Sequence, residues 1–558
     1  MKKFLSVLLM AALVLGAVAG AQAEVLSGIA KGFGGEVTVS VTVEDGKITA
    51  VTAEGANETN GIGTKALEEL PAKIVEANSA DVDVVATATV TSNAIIAAVK
   101  NALDPVANPY VVEEKAEAAP ITAEAADAYI GLGVASMGRL GPGSDDQGVQ
   151  VYSFNQVVAG VVFDGEGRIL LSKFDQTEVA TPNYDGATMP HFSGFPGQKG
   201  YNYDSDHDGK VDGVLENDND TFLAEVASWQ TKRERGEGYV MGTGYWAQQM
   251  DTFERLFVGK TVEEVKEWFA RYCSDRNGRP LKAGSSNEQD AAKYDALTDE
   301  EKTMLADVTA GATMSLNDSH GNLLAALEKA YENRRPLDIT SASAIGLGVS
   351  NMGRIGPGAD DKEVQVYSFN DVFAFVLFDE NGAVAASYVD QLEVATPNYD
   401  GATMPHFSGF PGQGGYNYDA DHDAKVDSVL ENDNDGFLAE VESWQTKRER
   451  GEGYVMGTGY WAQQMDTFEK LFAGKTVEEI NAWFAANCSD RNGRPLKAGS
   501  SNEQDAAKYD ALSDEAKAEL ADVTAGATMS LNDGHGNILA ALEKAEAGKV
   551  EVTLTIGK

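Results

Sequence analysis

Apolar and polar residues alternate along Gly32-Phe-Gly-Gly-Glu-Val-Thr-Val-Ser-Val-Thr-Val43, the period of a strand with one buried face. Glu44-Asp-Gly-Lys47 then reads as a hairpin turn into a second strand from Ile48 to Val51. A helical stretch through Val75 and an apolar-faced helix from Asn93 to Leu103 complete this block. The same order returns further on. Val149–Phe154, Val157–Asp164, the turn at Gly165–Gly167 and Ile169–Leu171 predict a β-meander. Thr261-Val-Glu-Glu264 is a capping box for a helix whose apolar face is Val265, Trp268, Phe269 and Tyr272. Thr298-Asp-Glu-Glu301 caps another helix, predicted to end just before Asp307, and Leu323, Leu324 and Leu327 mark one more core-facing helix.

From about residue 127 the chain repeats at an ungapped offset of 215, so that Tyr152 matches Tyr367, His191 matches His406 and Thr313 matches Thr528. That is a duplicated domain, too long a period for a solenoid unit. The expected fold class is α+β: a small antiparallel-sheet domain over 24–106, an Ala/Glu-rich linker over 107–126, and two enlarged α+β repeats over 127–335 and 342–550.

A length of 558 residues allows several cores. A net charge of −43 argues against nucleic acid and anionic membrane surfaces as partners. Lys2, Lys3, an apolar run from Phe4 to about Gly20 and Ala21-Gln-Ala23 predict a signal peptide over 1–23, with a short membrane anchor as the alternative. No Cys stands near that cleavage site, so a lipid anchor is not supported, and the mature chain is expected outside the cytoplasm: secreted, periplasmic or cell-surface associated. Cys273 and Cys488 occupy equivalent positions, as buried free thiols or as one bridge between repeats. They supply neither a haem motif nor an iron–sulfur set.

Asp307-Val-Thr-Ala-Gly-Ala-Thr313-Met-Ser315 recurs unchanged from Asp522 to Ser530, and Asp83-Val-Val-Ala-Thr-Ala-Thr89-Val-Thr-Ser92 is a divergent third copy. All three set an Asp six residues before a Thr that follows Ala. On these residues the chain resembles the FMN-binding domain family, which includes flavoprotein subunits of the sodium-pumping NADH:quinone reductase and the Rnf complex. The flavin domain of fumarate-reductase-like enzymes belongs to it too. In that family a flavin transferase links FMN through its phosphate to the last Thr of the motif. The resemblance therefore implies covalent FMN at Thr313, Thr528 and Thr89. Asp307, Gly311 and Ala312, then Asp522, Gly526 and Ala527, and Asp83 form the surrounding sites. Glu58-Thr-Asn-Gly-Ile-Gly63 is similar to the family's Glu-Thr-x-Gly-x-Gly. The chain departs from the pattern at Ala86, Ala310 and Ala525, where a hydroxyl residue is usual, and at Thr87, where Gly is usual; Thr91 offers a second hydroxyl.

The residues fit that chemistry without the family. A phosphoester needs a hydroxyl, and small neighbours such as Gly311 and Ala312 let a modifying enzyme grasp the backbone. Gly-Ala-Thr ahead of an apolar stretch is also an ordinary loop with a helix N-cap. Another such triplet, Gly186–Thr188, has Pro182 where the Asp would stand.

Other constellations carry less. Asp204-Ser-Asp206-His-Asp208-Gly209 follows a calcium loop for nine positions and then offers Leu215 where a bidentate acid belongs; the second copy has Ala424 in place of the Gly. A solvated acidic turn with no metal is the expectation. Gly131-Leu-Gly133-Val-Ala-Ser136 fails as a dinucleotide fingerprint. Lys232, Arg233 and Arg235, with Lys447, Arg448 and Arg450, either pair with nearby Glu or steady a flavin. His191 and His320 are candidates for a flavin pocket, and Trp229, Trp246 and Trp268 are expected in the core. The function implied is an electron carrier with two or three covalent FMN groups, matured by a flavin transferase and serving membrane or extracellular redox partners. A flavin-dependent reductase subunit and a secreted structural or calcium-binding protein are the alternatives.

Overall fold

The computed structural model describes residues 23–32, 36–55, 58, 63–85, 88–110, 120–184, 189–241, 244–318, 320–399, 404–456 and 459–557. Residues 1–22 of the expected signal peptide, residues 59–62 of the Glu58 motif, Ala86, Thr87 and the triplet at Gly186–Thr188 lie outside them. The chain divides into two compact units, Met1–Ala118 and Ala119–Lys558. No described helix is long and apolar enough to cross a membrane.

The first unit is an antiparallel meander of β1 (Glu24–Lys31), β2 (Glu36–Glu44) and β3 (Lys47–Glu54), followed by α1 (Gly63–Ala77) and α2 (Thr89–Leu103). Val37, Val39 and Val41 of β2 face Leu70 and Ile74 of α1 and Ile95, Ala98 and Val99 of α2. Strand β1 precedes the run in which alternation marks a strand. Its fully buried positions are the small Gly28 and Ala30, because α2 lies directly on it: a Cβ at Gly28 would come within 1.9 Å of the Ala98 carbonyl oxygen.

In the second unit, β5 (Ala128–Ser144), β6 (Gln150–Asp164) and β7 (Ile169–Ala180) form an antiparallel meander, followed by α3 (Asn219–Ala227), α4 (Trp246–Phe257), α5 (Val262–Tyr272), α6 (Glu288–Asp295), α7 (Asp299–Gly311) and α8 (Leu323–Glu332). Then β8 (Ser341–Ala359), β9 (Gln365–Phe378) and β10 (Val384–Ala395) form a second meander. Helices α9 (Asn434–Glu442), α10 (Trp461–Phe472), α11 (Val477–Asn487), α12 (Glu503–Asp510), α13 (Asp514–Gly526) and α14 (Ile538–Ala547) follow, before a last strand β11 (Val550–Ile556). Strand β4 (Ile121–Ala125) falls inside the segment expected as linker. It pairs parallel with β11, which joins β8, so this sheet runs β10-β9-β8-β11-β4.

The parity of β6 explains the layering. Tyr152, Phe154, Val158 and Val162 belong to one core, while Val157, Ala159, Val161 and Phe163 belong to another with α4, α5, α7 and α8. Strand β9 does the same: Tyr367, Phe369, Phe373 and Phe375 enter the first core, and Val372, Ala374 and Val376 face α10, α11 and α14. Two sheets therefore pack face to face with helices outside each. That is why β6 and β9 are near-continuous apolar runs. The rings of Phe154 and Phe369, equivalent positions, stack at 5.7 Å between centroids.

The pairing is reciprocal, like that of an isologous dimer. Gln198 Nε2 donates to the Ser408 carbonyl (2.7 Å) and Gln413 Nε2 to the Ser193 carbonyl (2.8 Å). Tyr152 donates to Asn434 Oδ1 and Tyr367 to Asn219 Oδ1. Both copies thus share one compact unit because each supplies half of its central core.

Candidate functional site

In the first unit, the segment before α2 is held by the helix itself: Val85 N–H donates to Ser92 Oγ (3.0 Å). Thr89 is the first residue of α2 and is exposed. The N-cap position is Ala88, and no side-chain hydrogen bond caps this helix among the described residues. Thr91 is buried instead, and its hydroxyl donates to Glu58, itself only 7% exposed. Glycine surrounds that carboxylate: a Cβ at Gly63 would meet Glu58 at 2.9 Å, and one at Gly32 would meet its Oε1 at 2.2 Å. Asp83 is exposed in the extended segment between α1 and α2. Of the two hydroxyls, Thr89 alone is presented to a second protein.

In the second unit, α7 does not stop before Asp307. It runs through Asp307 and Ala310 to Gly311, so both Asp307 and Asp522 lie exposed near a helix C-terminus. Apolar spacing carries the helix on, with Leu305 and Val308 buried, and Thr309 Oγ donates back to the Leu305 carbonyl (2.7 Å). Gly311 is needed for closeness rather than unusual dihedrals: a Cβ there would meet Thr252 Oγ of α4 at 2.6 Å, as would one at Gly526 against Thr467 at 2.5 Å. Ala312 and Ala527 are fully buried C-caps.

Thr313 and Thr528 follow directly, half-buried. The N–H groups of Thr313 and Met314 both donate to Gln249 Oε1, at 2.9 and 3.1 Å, and Gln464 serves Thr528 and Met529 in the same way. Thr313 is not a helix N-cap, the ordinary reading of Gly-Ala-Thr ahead of an apolar stretch. The next helix begins only at Leu323, and Asn322 Oδ1 already accepts its Ala325 N–H.

Beyond Thr313 the chain forms the wall of a cavity shared with Gln176, Lys232, Trp246, Arg279 and His320. Gly321, at φ +143°, lets the backbone pass Gln176, whose Nε2 would lie 2.8 Å from a Cβ there. Gln176 Nε2 donates to the His320 carbonyl and to Asn155 Oδ1. Lys232, 2% exposed, pairs with Glu178 at 3.0 Å, and Arg139 meets the same carboxylate at 3.1 Å. Burial would lift the Glu178 carboxyl, but Lys232 and then Arg139 outweigh it and hold it below the ordinary carboxylate range. Lys447, Glu393 and Arg354 repeat this triad. In a chain of net charge −43, both triads bring cations inward.

The basic triplet is a buried turn rather than a helix face. Arg233 pairs with Glu254 (2.7 Å) and Asp251 (2.8 Å), and Arg235 lies over the Tyr239 ring at 4.0 Å. His320 lines the cavity; His191 lies instead beside His207, 6.1 Å away by ring centroids. Trp229 and Trp268 are core residues, and Trp246 is buried yet also lines the cavity. Cys273 and Cys488 are buried free thiols.

Residues 32–104 match the sequence profile of the FMN-binding domain. The first unit belongs to the FMN-binding domain family. Relatives that share sequence with the chain include three reductases. Chlorophenol reductase of Desulfitobacterium hafniense is 36% identical over 192 residues, 33% of this chain and 52% of that protein. NADH:acrylate oxidoreductase of Vibrio harveyi is 34% identical over 74 residues, 13% of this chain and 7% of that protein. Urocanate reductase of Eggerthella lenta is 38% identical over 86 residues, 15% and 14% respectively. The chain thus spans about half the length of the first relative and a small part of the other two.

The FMN-binding domain has the right chemistry for its group. An exposed hydroxyl stands in the first turn of a 15-residue helix that no side chain among the described residues caps, a favourable place for a phosphate. The match ends at residue 104, yet one packing device recurs beyond it. Gly28 admits α2 onto β1, Gly131 and Gly133 admit α8 onto β5, and Gly346 and Gly348 admit α14 onto β8; added Cβ atoms would stand 1.9–2.1 Å from helix carbonyl oxygens at all five. The motif spacing gave no sign of Gln249 or Gln176. They stand 64 and 137 residues before Thr313, and only the fold brings Gln249 to its backbone and Gln176 to the His320 carbonyl beyond it.

Proposed function

We propose that this chain is an extracytoplasmic electron-transfer protein carrying two or three FMN groups joined to Thr313, Thr528 and Thr89 through phosphoester bonds. The FMN-binding domain and relatives named as reductases support flavin-dependent electron transfer. The observation that carries the finer reading is the cavity beside Thr313, lined by Lys232, Arg279, Trp246 and Gln176. The shared helix-on-glycine packing supports reading both repeats as enlarged forms of the same domain. Bound FMN supplies hydride and electron transfer, and the protein supplies attachment, orientation and tuning.

The protein's own residues divide that work. Gln249 and Gln464 fix the backbone that presents each Thr. Lys232 and Arg279 offer donors and positive charge to an anionic group, Trp246 offers a flat apolar face, and Glu178 holds Lys232 in place. Maturation requires a flavin transferase, and the electrons pass to membrane or extracellular redox partners.

The test is co-expression with a flavin transferase and peptide mass mapping. FMN mass on the peptides of Thr313 and Thr528 is the expected result, and unmodified peptides from a flavin-loaded chain would overturn it. The names of the relatives favour a second reading, a reductase subunit acting on a small organic acceptor. Turnover of acrylate or urocanate by the purified chain with a chemical reductant would select that reading over a pure carrier.

A further inference from the structure

Away from Thr313 and Thr528, each repeat carries a loop rich in oxygen. Asp204, Asp206 and Asp208 each bring one carboxylate oxygen to within 4.8 Å of the others, and Asp419, Asp421 and Asp427 do so in the second repeat. A solvated acidic turn explains such a cluster by itself. One exposed member is also partly answered, since Lys210 pairs with Asp208, and in the second repeat Lys425 pairs with the neighbouring Asp423.

A second observation asks for a ligand. Asp204, only 2% exposed, shares the wall of a cavity with Asp145, Asp146 and Asn183. Asn183 is 3% exposed, and its Nδ2 donates to Asp145 Oδ2 (2.9 Å) and to the Val149 carbonyl (3.1 Å). Those acceptors fix which end of the amide is nitrogen. Its Oδ1 is buried and accepts nothing among the described residues. The second repeat repeats the deficit: Asn398, 3% exposed, donates to Asp360 Oδ2 (2.9 Å) and to the Val364 carbonyl (3.0 Å), and its Oδ1 also has no partner. A buried polar atom left unpaired costs about 1–3 kcal/mol, and both repeats retain it. A cation, or a water that a cation holds, would answer that oxygen.

The donor set selects the ion. The clustered ligand atoms are carboxylate oxygens, and the wall adds the Asn183 amide; the loop's His207 is not among the clustered ligand atoms. Oxygen-only sites with irregular geometry suit calcium, whereas magnesium demands near-ideal octahedral geometry and gives up its water reluctantly. We propose that each repeat binds one calcium ion at this loop. Asp204, Asp206 and Asp208, or Asp419, Asp421 and Asp427, are the carboxylate ligands. The Oδ1 of Asn183 or Asn398 is satisfied by the ion or by its water. The ion ties the hairpin of Tyr201–Tyr203 and Gly213–Leu215 to the loop after β5 that carries Asp145 and Asp146.

The test uses the full chain, freed of metal with a chelator and titrated with calcium chloride in a calorimeter. The expected result is two sites per chain, with dissociation constants of roughly 10⁻⁴–10⁻³ M, the range of extracellular modules, and a rise in the thermal midpoint. Magnesium at the same concentrations should leave the midpoint where it was. Asp206→Asn and Asp421→Asn alter exposed side chains, so the fold should survive; each should remove one site, and the double variant both. Absence of saturable binding overturns the proposal, and so does calcium binding that persists undiminished in the double variant, which would be diffuse attraction to an acidic surface.

Discussion

Gln249→Leu isolates the contact that presents Thr313. Gln249 is fully buried, and its Oε1 is the acceptor for two consecutive N–H groups. Leucine nearly matches its volume but accepts nothing. Each lost bond removes about 0.5–1.5 kcal/mol, and a buried N–H left without a partner adds about 1–3 kcal/mol. Met314 is buried and Thr313 half-buried, so the larger penalty applies chiefly to one amide. The expected loss is about 2–4 kcal/mol, read as a lower urea midpoint for the second unit at unchanged slope. In chain co-expressed with a flavin transferase, FMN on the Thr313 peptide should fall while FMN on the Thr528 peptide stays, and Gln464→Leu should give the mirror result. A stability change below about 0.5 kcal/mol, the range of ordinary surface substitutions, would refute the structural reasoning. Equal loss of FMN from both peptides would refute the assignment of one glutamine to each site.

Other expectations follow from named contacts. Phe154→Ala should cost about 3–5 kcal/mol, and hydrogen exchange should quicken in β6 and β9 together, since Phe154 packs on Phe369, Phe407, Phe410 and Trp444 of the other repeat; quickening confined to the first repeat would contradict a shared core. Burial lifts Asp371 to about 6 against two amide donors, Asn351 Nδ2 and Gln156 Nε2, both at 2.7 Å. A folded pKa above the unfolded one means stability is lost as pH rises from about 4 to 6. Asp371→Asn should therefore stabilise the chain at pH 7 by on the order of 2–3 kcal/mol, with Gln156 turning its unpartnered Oε1 to accept; an unchanged urea midpoint at pH 7 would contradict this. In the first unit, FMN on Thr89 should be partial and should rise in Thr87→Gly, while Thr91→Val should leave FMN on the Thr89 peptide; mass mapping that located the group on Thr91 would reverse the assignment.

The sequence made the periodic parts of this molecule legible and left the long-range parts dark. Alternation found β2 and β3, and capping boxes at Thr261 and Thr298 found α5 and α7, because those signals lie within a few residues. Strand β1 escaped because its buried positions are Gly28 and Ala30, small so that α2 can lie on them. The sequence ends α7 too early because Gly311 reads as a loop residue, whereas it serves a close crossing with Thr252. Repetition at 215 residues announced two copies, but only the faces of β6 and β9 reveal that they share a core. The motif named the Thr residues, while the side chains that hold their backbone and line the cavity come from α4, β7 and the turn after α3. No spacing rule connects those elements.

The central claim, that this chain carries covalently bound FMN, meets its most direct test in one intact mass. The protein co-expressed with a flavin transferase should exceed the mass of its mature polypeptide by two or three FMN phosphoester increments, and Thr313→Ala and Thr528→Ala should each remove one. A mass equal to the bare polypeptide, obtained beside a control protein that the same transferase does modify, would contradict it.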